Sequence, residues 1–122
     1  MIGYVTLGTN DLERAAKFYD QLLGEIGAKR FMDTETFIAW AVAPDQPALS
    51  VTKPFDGNAA TVGNGVMVAL LMDSQDKVNA LYEKAIELGA TDEGPPGPRG
   101  PGFYAGYFRD LDGNKLNAFF MG

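Results

Sequence analysis

The sequence predicts an α+β domain made of two βαβββ modules, whose mixed sheets curve around a central cleft. Two observations predict this fold. Strand-like and helix-like patterns follow one another in the same order twice, and matching residues recur at a nearly constant offset. Tyr19 and Tyr82 are 63 residues apart, and Gly27 and Gly89 are 62 apart. A constant offset indicates internal duplication, with the stretch 54–65, rich in Pro, Gly and Asn, as the linker.

In the first module, alternation predicts a strand over residues 2–7. Asn10, with Glu13 three residues later, has the spacing of a capping box and predicts the start of a helix. Gly24 or Gly27 is expected to end this helix, because glycine adopts the left-handed conformation at low cost. Further strands are predicted over 28–32, 37–42 and 49–53.

The second module repeats this order after the linker. A strand over 66–72 precedes a helix that Gly89 is expected to end. The segment 94–102 is rich in Gly and Pro and predicts a stiff surface loop, whereas Asp112-Gly113 predicts a hairpin turn. The remaining strands are predicted near 90–92, 103–108 and 116–120.

Length and composition favour one domain, residues 1–122, with module 1 over about 1–53, the linker over about 54–65 and module 2 over about 66–122. The net charge of −6 argues against a nucleic-acid partner, which requires clustered cations. No apolar stretch approaches the roughly 20 residues of a membrane helix, so no membrane partner is expected. We see no signal-like start and no cysteine, and therefore expect a cytoplasmic location.

Several motifs resemble the vicinal oxygen chelate superfamily of glyoxalases, bleomycin-resistance proteins and extradiol dioxygenases. The motifs are the strand Tyr4-Val5-Thr6-Leu7, the turn Asn10-Asp11-Leu12-Glu13-Arg14, the helical pair Phe18-Tyr19 and the segment Arg109-Asp110-Leu111-Asp112-Gly113-Asn114. The last is similar to the family's Arg-Asp-Pro-Asp-Gly-Asn, with leucine at the usual proline. The resemblance covers nearly the whole chain and implies the paired-module fold, a small-molecule ligand and a homodimer.

In metal-binding members of that family, the metal ligands lie on the first and last strands of each module. The resemblance places the opening positions at Tyr4 and Met67 and the closing positions at Ser50 and Asn117. None of these is a customary ligand, since a protonated phenol, a thioether, a hydroxyl and a neutral amide bind divalent cations weakly. The chain has no histidine or cysteine to replace them. We therefore expect no metal and no other cofactor.

Strand alternation adds further candidate cleft residues. Thr6 shares a face with Tyr4, and Phe119 shares one with Asn117. Tyr107 is preferred to Tyr104 as a cleft residue. Phe108 shares the strand face of Tyr104 and is the better core residue, so that face is expected to be the buried one. The apolar members of this set either fill the interior or contact a ligand, and Asn117 either joins an internal network or meets a polar ligand atom.

Trp40 and Arg99 complete the candidate set. Trp40 either stacks on a ligand in the cleft or belongs to the core, since alternation does not decide which face of its strand meets the helix. Arg99 lies in the predicted loop and either binds a carboxylate or phosphate or remains solvated.

Two functions remain open from the sequence. The first is a protein that binds a small organic molecule in a metal-free cleft. The alternative is a lyase, isomerase, thiol transferase or dioxygenase of the same superfamily with an atypical or absent metal site, in which Tyr4 is the candidate acid. The sequence does not decide whether any reaction is catalysed.

Overall fold

Each half of the chain folds into a strand, a helix and three further strands. The computed structural model describes all residues 1–122 and divides them into two units, Met1–Val62 and Gly63–Gly122, named here the N-terminal and C-terminal modules. The N-terminal module contains β1 (Tyr4–Gly8), α1 (Leu12–Gly24), β2 (Lys29–Asp33), β3 (Phe37–Ala41) and β4 (Ala48–Thr52). The C-terminal module contains β5 (Val68–Leu71), α2 (Gln75–Glu87), β6 (Thr91–Pro98), β7 (Phe103–Arg109) and β8 (Lys115–Met121).

The two sheets have the same topology. Their strand orders are β1-β4-β3-β2 and β5-β8-β7-β6. β1 runs parallel to β4, and β5 runs parallel to β8. Thr6 lies opposite Ser50, and Ala69, which is 63 residues after Thr6, lies opposite Asn117. Ser50 and Asn117 are therefore equivalent positions in the two modules. The α+β fold with two βαβββ modules, predicted from the sequence, is confirmed.

Helix α1 begins one residue later than its capping box predicts. Asp11 is the N-cap, and its carboxylate accepts a hydrogen bond from the Arg14 backbone N–H at 3.0 Å, so the assignment of Asn10 as the cap is wrong. Asn10 instead bonds the linker: its amide donates to the Ala60 carbonyl at 3.2 Å and accepts from the Ala60 N–H at 2.7 Å. Asn and Asp are comparable caps, so sequence preference alone does not separate them.

Both helices end in the same way. Gly27 and Gly89 follow the helices with φ of +80° and +106°, in the left-handed region that favours glycine. In each case the N–H of the next residue donates to a carbonyl of the last helical turn. Of the two glycines expected to end α1, Gly24 is its last helical residue and Gly27 adopts the left-handed conformation.

The predicted loop over 94–102 is in part a strand, which corrects the sequence interpretation. Strand β6 extends through Pro98, pairs only with β7 and has register irregularities between Asp92 and Gly97. Prolines are tolerated there because an edge strand does not need every N–H for pairing. The Asp112-Gly113 turn does join β7 to β8 as predicted, with Gly113 at φ +92°.

The core of each module lies between its helix and one face of its sheet. Leu22 of α1 and Leu81 of α2 are almost completely buried there, and burying such a side chain contributes about 1.5–3 kcal/mol. Other fully buried side chains include Tyr19, Trp40, Val51, Val78, Phe108 and Leu116. Neither 13-residue helix is long and apolar enough to cross a membrane.

Candidate functional site

Each sheet has one face that packs on its helix and a second face that we call its open face. Because side chains alternate along a strand, contacts to the helices identify both faces. In the N-terminal module the Trp40 indole donates to Asp20 of α1, and in the C-terminal module the Tyr104 hydroxyl donates to Asn79 of α2. The N-terminal open face therefore includes Tyr4, Thr6, Phe37, Ala39 and Ser50, and the C-terminal open face includes Ala69, Phe103, Tyr107, Lys115, Asn117 and Phe119.

The polar groups of the N-terminal open face bond to one another. The Ser50 hydroxyl donates to the Val5 carbonyl at 2.7 Å and lies 2.9 Å from the Thr6 hydroxyl, which must then be the donor of that second bond. Tyr4 is 63% exposed, and its ring meets the edge of Phe37 at a centroid distance of 6.2 Å. Tyr4 and Thr6 are both exposed on this face, whereas Ser50 is buried.

Trp40 does not lie on the open face. It is buried on the helix side of β3, its ring contacts Tyr19 of α1, and its indole N–H donates to Asp20 at 2.8 Å. Trp40 therefore lies in the core of the N-terminal module, which is one of the two alternatives that the sequence left open. The reason is that α1 offers a carboxylate at the right distance, which satisfies the indole N–H when the ring is buried.

On the C-terminal open face, Asn117 is the central polar residue. The residue is 1% exposed, and its side-chain oxygen has no hydrogen-bond partner. It lies between Ala69 of β5 and Tyr107 of β7, its partners across the two neighbouring strands. Since buried polar groups are nearly always hydrogen-bonded, an unpaired acceptor at this position requires an explanation.

Two cationic side chains lie over the Tyr107 ring. The Arg99 guanidinium lies 5.6 Å from the centre of the Tyr107 ring, and the Lys115 ammonium lies 5.5 Å from it, both within cation–π range. Arg99 also donates to the carbonyls of Pro95 and Pro98, whereas Lys115 forms no ion pair. The sequence analysis missed Lys115, although its spacing of two from Asn117 on a strand would have placed it on the same face.

The apolar part of this face is at the other end of β8. Phe119 stacks on Phe103 at a centroid distance of 5.6 Å and an interplanar angle of 26°. Met67 is 40% exposed and precedes β5, because the strand predicted from residue 66 begins only at Val68. Of the candidate residues, the N-terminal open face holds Tyr4, Thr6 and Ser50, and the C-terminal open face holds Tyr107, Asn117 and Phe119.

The side chains at the four positions implied by the family resemblance do not fit a divalent cation. Ser50 uses its hydroxyl within the sheet, and Met67 offers only a thioether. Tyr4 and Asn117 offer a phenol and a neutral amide, which are weak ligands without carboxylate or imidazole partners. Nowhere in the chain do three or more His, Cys, Asp or Glu side chains cluster as a metal site.

A groove in the N-terminal module lies in a different place from these faces. It has a volume of about 570 Å³ and lies in the N-terminal module beside the start of α1, on the helix side of the sheet, where Ile38 contributes to its wall. Two of its three cations already have carboxylate partners: Lys17 pairs with Glu13, and Arg30 pairs with Asp20 and Asp33.

Two charged clusters on the helix sides hold each helix to its sheet. In the N-terminal module, hydrogen bonds from Arg30 and then from Trp40 lower the pKa of Asp20, although partial burial opposes them. In the C-terminal module, burial and a 2.7 Å hydrogen bond to Asp92 raise the pKa of Tyr82 to about 12. Both clusters join a helix to the strands beneath it and do not face the open side.

Comparison with known proteins identifies the family. The model of the Glyoxalase/Bleomycin resistance protein/Dioxygenase superfamily matches residues 1–118. The chain belongs to this superfamily. A crystal structure of a glyoxalase/bleomycin resistance protein from Albidiferax ferrireducens T118 is 35% identical with a TM-score of 0.91, and the match covers 100% of this chain and 99% of that one.

Two further solved structures, both under 25% identical, are similar to this chain in fold. A lactoylglutathione lyase from Agrobacterium tumefaciens is 18% identical with a TM-score of 0.74, over 98% of this chain and 92% of that one. A fosfomycin resistance protein from Mesorhizobium loti is 17% identical with a TM-score of 0.71, over 100% and 92%. No curated protein matches the sequence.

Proposed function

We propose that this superfamily member binds a small organic molecule on its open sheet faces, independently of a metal ion. The observation that carries the proposal is the unpaired side-chain oxygen of Asn117, a buried acceptor for which the chain supplies no donor. A ligand that brings an O–H or N–H group to this oxygen would satisfy it and gain a buried hydrogen bond.

The surroundings of Asn117 support an organic ligand. The stacked rings of Phe103 and Phe119 offer apolar contact area, and Tyr107 offers a ring with a polar tip. Small-molecule sites typically combine apolar walls with a few placed polar groups, which is the composition of this face. Two solved structures that are similar in fold are named as a lactoylglutathione lyase and a fosfomycin resistance protein. Both names contain the name of a small organic compound.

Independence from metal is tested on protein purified without added ions. We expect elemental analysis to find no stoichiometric divalent ion, because the donors at these positions are weak. Thermal unfolding should be the same with a chelator as with added Zn²⁺, Mn²⁺ or Ni²⁺. A stoichiometric ion, or a melting temperature that falls when the chelator is added, would contradict the proposal.

Binding is tested by NMR with a library of small organic compounds. We expect some compounds to shift the amide signals of Tyr107, Asn117 and Phe119, and Asn117→Leu to weaken their binding. Lys77→Met is the control, because this exposed lysine lies on α2, on the helix side of the same module. Compounds that shift only residues on the helix sides, or none at all, would refute a site on the open faces.

The proposal includes a cytoplasmic homodimer. A chain without cysteine needs no oxidising compartment for its stability. Light scattering coupled to gel filtration tests the oligomeric state: the dimer predicts twice the chain mass of 13.1 kDa. A monomer over the whole concentration range would remove this part of the proposal and leave the binding site unaffected.

A further inference from the structure

We infer that the C-terminal open face selects an organic anion that carries a hydroxyl or N–H group beside its charge and an apolar group beyond it. The inference rests on the proposed binding function and specifies its ligand. Its basis is the order of side chains along one edge of the site, where Lys115, Asn117 and Phe119 occupy successive positions of the same face of β8.

The first position is cationic. Lys115 and Arg99 both lie over the Tyr107 ring, and Lys115 has no carboxylate partner. Arg99 gives two hydrogen bonds to the carbonyls of Pro95 and Pro98, which leaves further N–H groups of its guanidinium for a ligand. Two cations held on one ring favour an anionic group.

The nearby carboxylates of β6 do not neutralise these cations. Glu93 pairs with Arg109 at 2.8 Å, and Asp92 accepts a hydrogen bond from Tyr82 on the helix side of the sheet. The local charge of the open face is therefore positive, although the whole chain carries −6. Net charge alone would have suggested a cationic ligand, so the face and the chain lead to opposite expectations.

The second and third positions define the rest of the ligand. The Asn117 oxygen accepts hydrogen bonds only, so its partner must be a donor. Residues two apart on a strand are separated by about 6.5–7 Å, so a donor one or two bonds from the anionic group reaches Asn117 while the charge reaches Lys115. Phe119, the next residue on this face, stacks with Phe103 and provides the apolar end.

The Asn117 oxygen is reached only when a neighbouring side chain moves. Tyr107 is the cross-strand partner of Asn117, and Lys115 is two residues away on the same face. The Lys115 side chain is held over the ring only by a cation–π contact, which contributes about 0.5–1 kcal/mol at exposed sites. A rotamer change of this lysine towards the anion is therefore a small rearrangement.

Three probes of one shape separate the contributions: mandelate, its neutral analogue mandelamide, and phenylacetate, which lacks the hydroxyl. By isothermal titration and NMR, we expect mandelate to bind about tenfold or more tightly than either, the effect of one hydrogen bond to a charged or buried partner. Added NaCl should weaken binding of mandelate and leave that of mandelamide unchanged, because salt screens partly exposed charges.

The variants assign each preference to its residue. Lys115→Met should reduce the advantage of mandelate over mandelamide, since Arg99 remains over the Tyr107 ring, and keep its advantage over phenylacetate. Asn117→Leu should do the reverse. Lys77→Met, which removes an exposed lysine of α2 in the same module but away from the open face, is the matched control and should change neither ratio.

The outcomes separate this inference from the proposed function. If mandelamide binds the face as tightly as mandelate, or only other library compounds bind there, the selection of hydroxylated anions is wrong while the binding function stands. If neither these probes nor the library shift residues of the face, both are wrong. If Lys77→Met has the effect expected of Lys115→Met, the charge preference arises elsewhere.

Discussion

The N-terminal and C-terminal modules have one topology but differ at equivalent positions of their open faces. Ser50 lies opposite Thr6 and is bonded to Thr6 and to the Val5 carbonyl, whereas Asn117 lies opposite Ala69 and leaves its oxygen unpaired. The methyl group of Ala69 cannot supply the hydrogen bond that the threonine supplies in the first module. The two modules thus share one topology, while the unpaired buried acceptor is in the C-terminal module.

The modules also differ on their helix sides. Trp40 lies opposite Leu49 and Phe108 lies opposite Leu116, which makes the two aromatic residues equivalent. Trp40 adds a hydrogen bond to Asp20, a residue that Arg30 also holds. The N-terminal module therefore combines packing with a charged network at a position where the C-terminal module relies on packing.

The largest effect is expected from breaking these equivalent core positions. Phe108→Ala should cost about 3–5 kcal/mol of unfolding free energy, and Trp40→Ala should reach the upper end of that range because it also removes the bond to Asp20. Urea unfolding followed by circular dichroism measures both. Tryptophan fluorescence cannot be used, because Trp40 is the only tryptophan and one of the variants removes it. The exposed Val42→Ala serves as the control, within about 0.5 kcal/mol. A larger loss for Phe108→Ala would contradict the comparison.

The two open faces should respond to mutation with opposite signs. Ser50→Ala removes buried hydrogen bonds and should destabilise by about 1 kcal/mol. Asn117→Leu replaces an unpaired buried amide with an apolar group of similar size, and should be neutral or stabilising by about 1–3 kcal/mol. Melting temperatures of the two variants test the signs. If Asn117→Leu destabilises more than Ser50→Ala does, the unpaired oxygen is not a cost to the fold.

Acid should weaken the N-terminal network. Because the pKa of Asp20 lies below its usual 3.8, the carboxylate stabilises the fold above that pH, and the contribution is lost as the pH falls through the lowered value. Asp20→Asn should lower the melting temperature at pH 7, by the effect of about 1 kcal/mol or less typical of partly exposed pairs. The difference from the wild type should disappear well below pH 3.8. A constant difference over this range would exclude the titration of Asp20.

The smallest effect concerns Tyr82 in the C-terminal module. Because its pKa is raised to about 12, stability is unaffected below the ordinary value of 10 and falls as the pH rises from 10 towards 12. Tyrosinate absorbance at 295 nm should show a late-titrating group that Tyr82→Phe removes. In Asp92→Asn this group should titrate earlier, since the carboxylate no longer opposes ionisation. An unchanged titration in Tyr82→Phe would assign the late group to another tyrosine.

Much of the fold could be predicted because the repeated sequence pattern makes each module evidence for the other. Turn residues such as Gly27 and Gly89 and the turn at Asp112-Gly113 have one physical role, and the structure places them in it. The start of α1 was missed because Asn10 and Asp11 are both good caps, and only the contact to Ala60 decides between them. The preference of a residue for the N-cap position gives no information on a contact with a residue 50 positions away.

The candidate site was less predictable for the same reason. The face on which Trp40 lies depends on Asp20, which is 20 residues away, and not on the alternation within β3. Lys115 gains its importance from Tyr107 on the neighbouring strand. The side-chain oxygen of Asn117 is unpaired because the residue opposite it, Ala69, has no hydrogen-bond donor in its side chain. Nothing in the sequence marks Ala69 as the partner of Asn117. Cross-strand register decides each of these cases, and the sequence leaves it open.

Strand β6 has a further consequence for how the molecule behaves at high concentration. It forms the outer edge of its sheet, where unpaired N–H groups normally invite strands of other molecules to add on. Pro95 and Pro96 have no N–H to offer, and the irregular register interrupts any continuous row of donors. The same prolines that mimic a loop in the sequence thus protect this edge against aggregation.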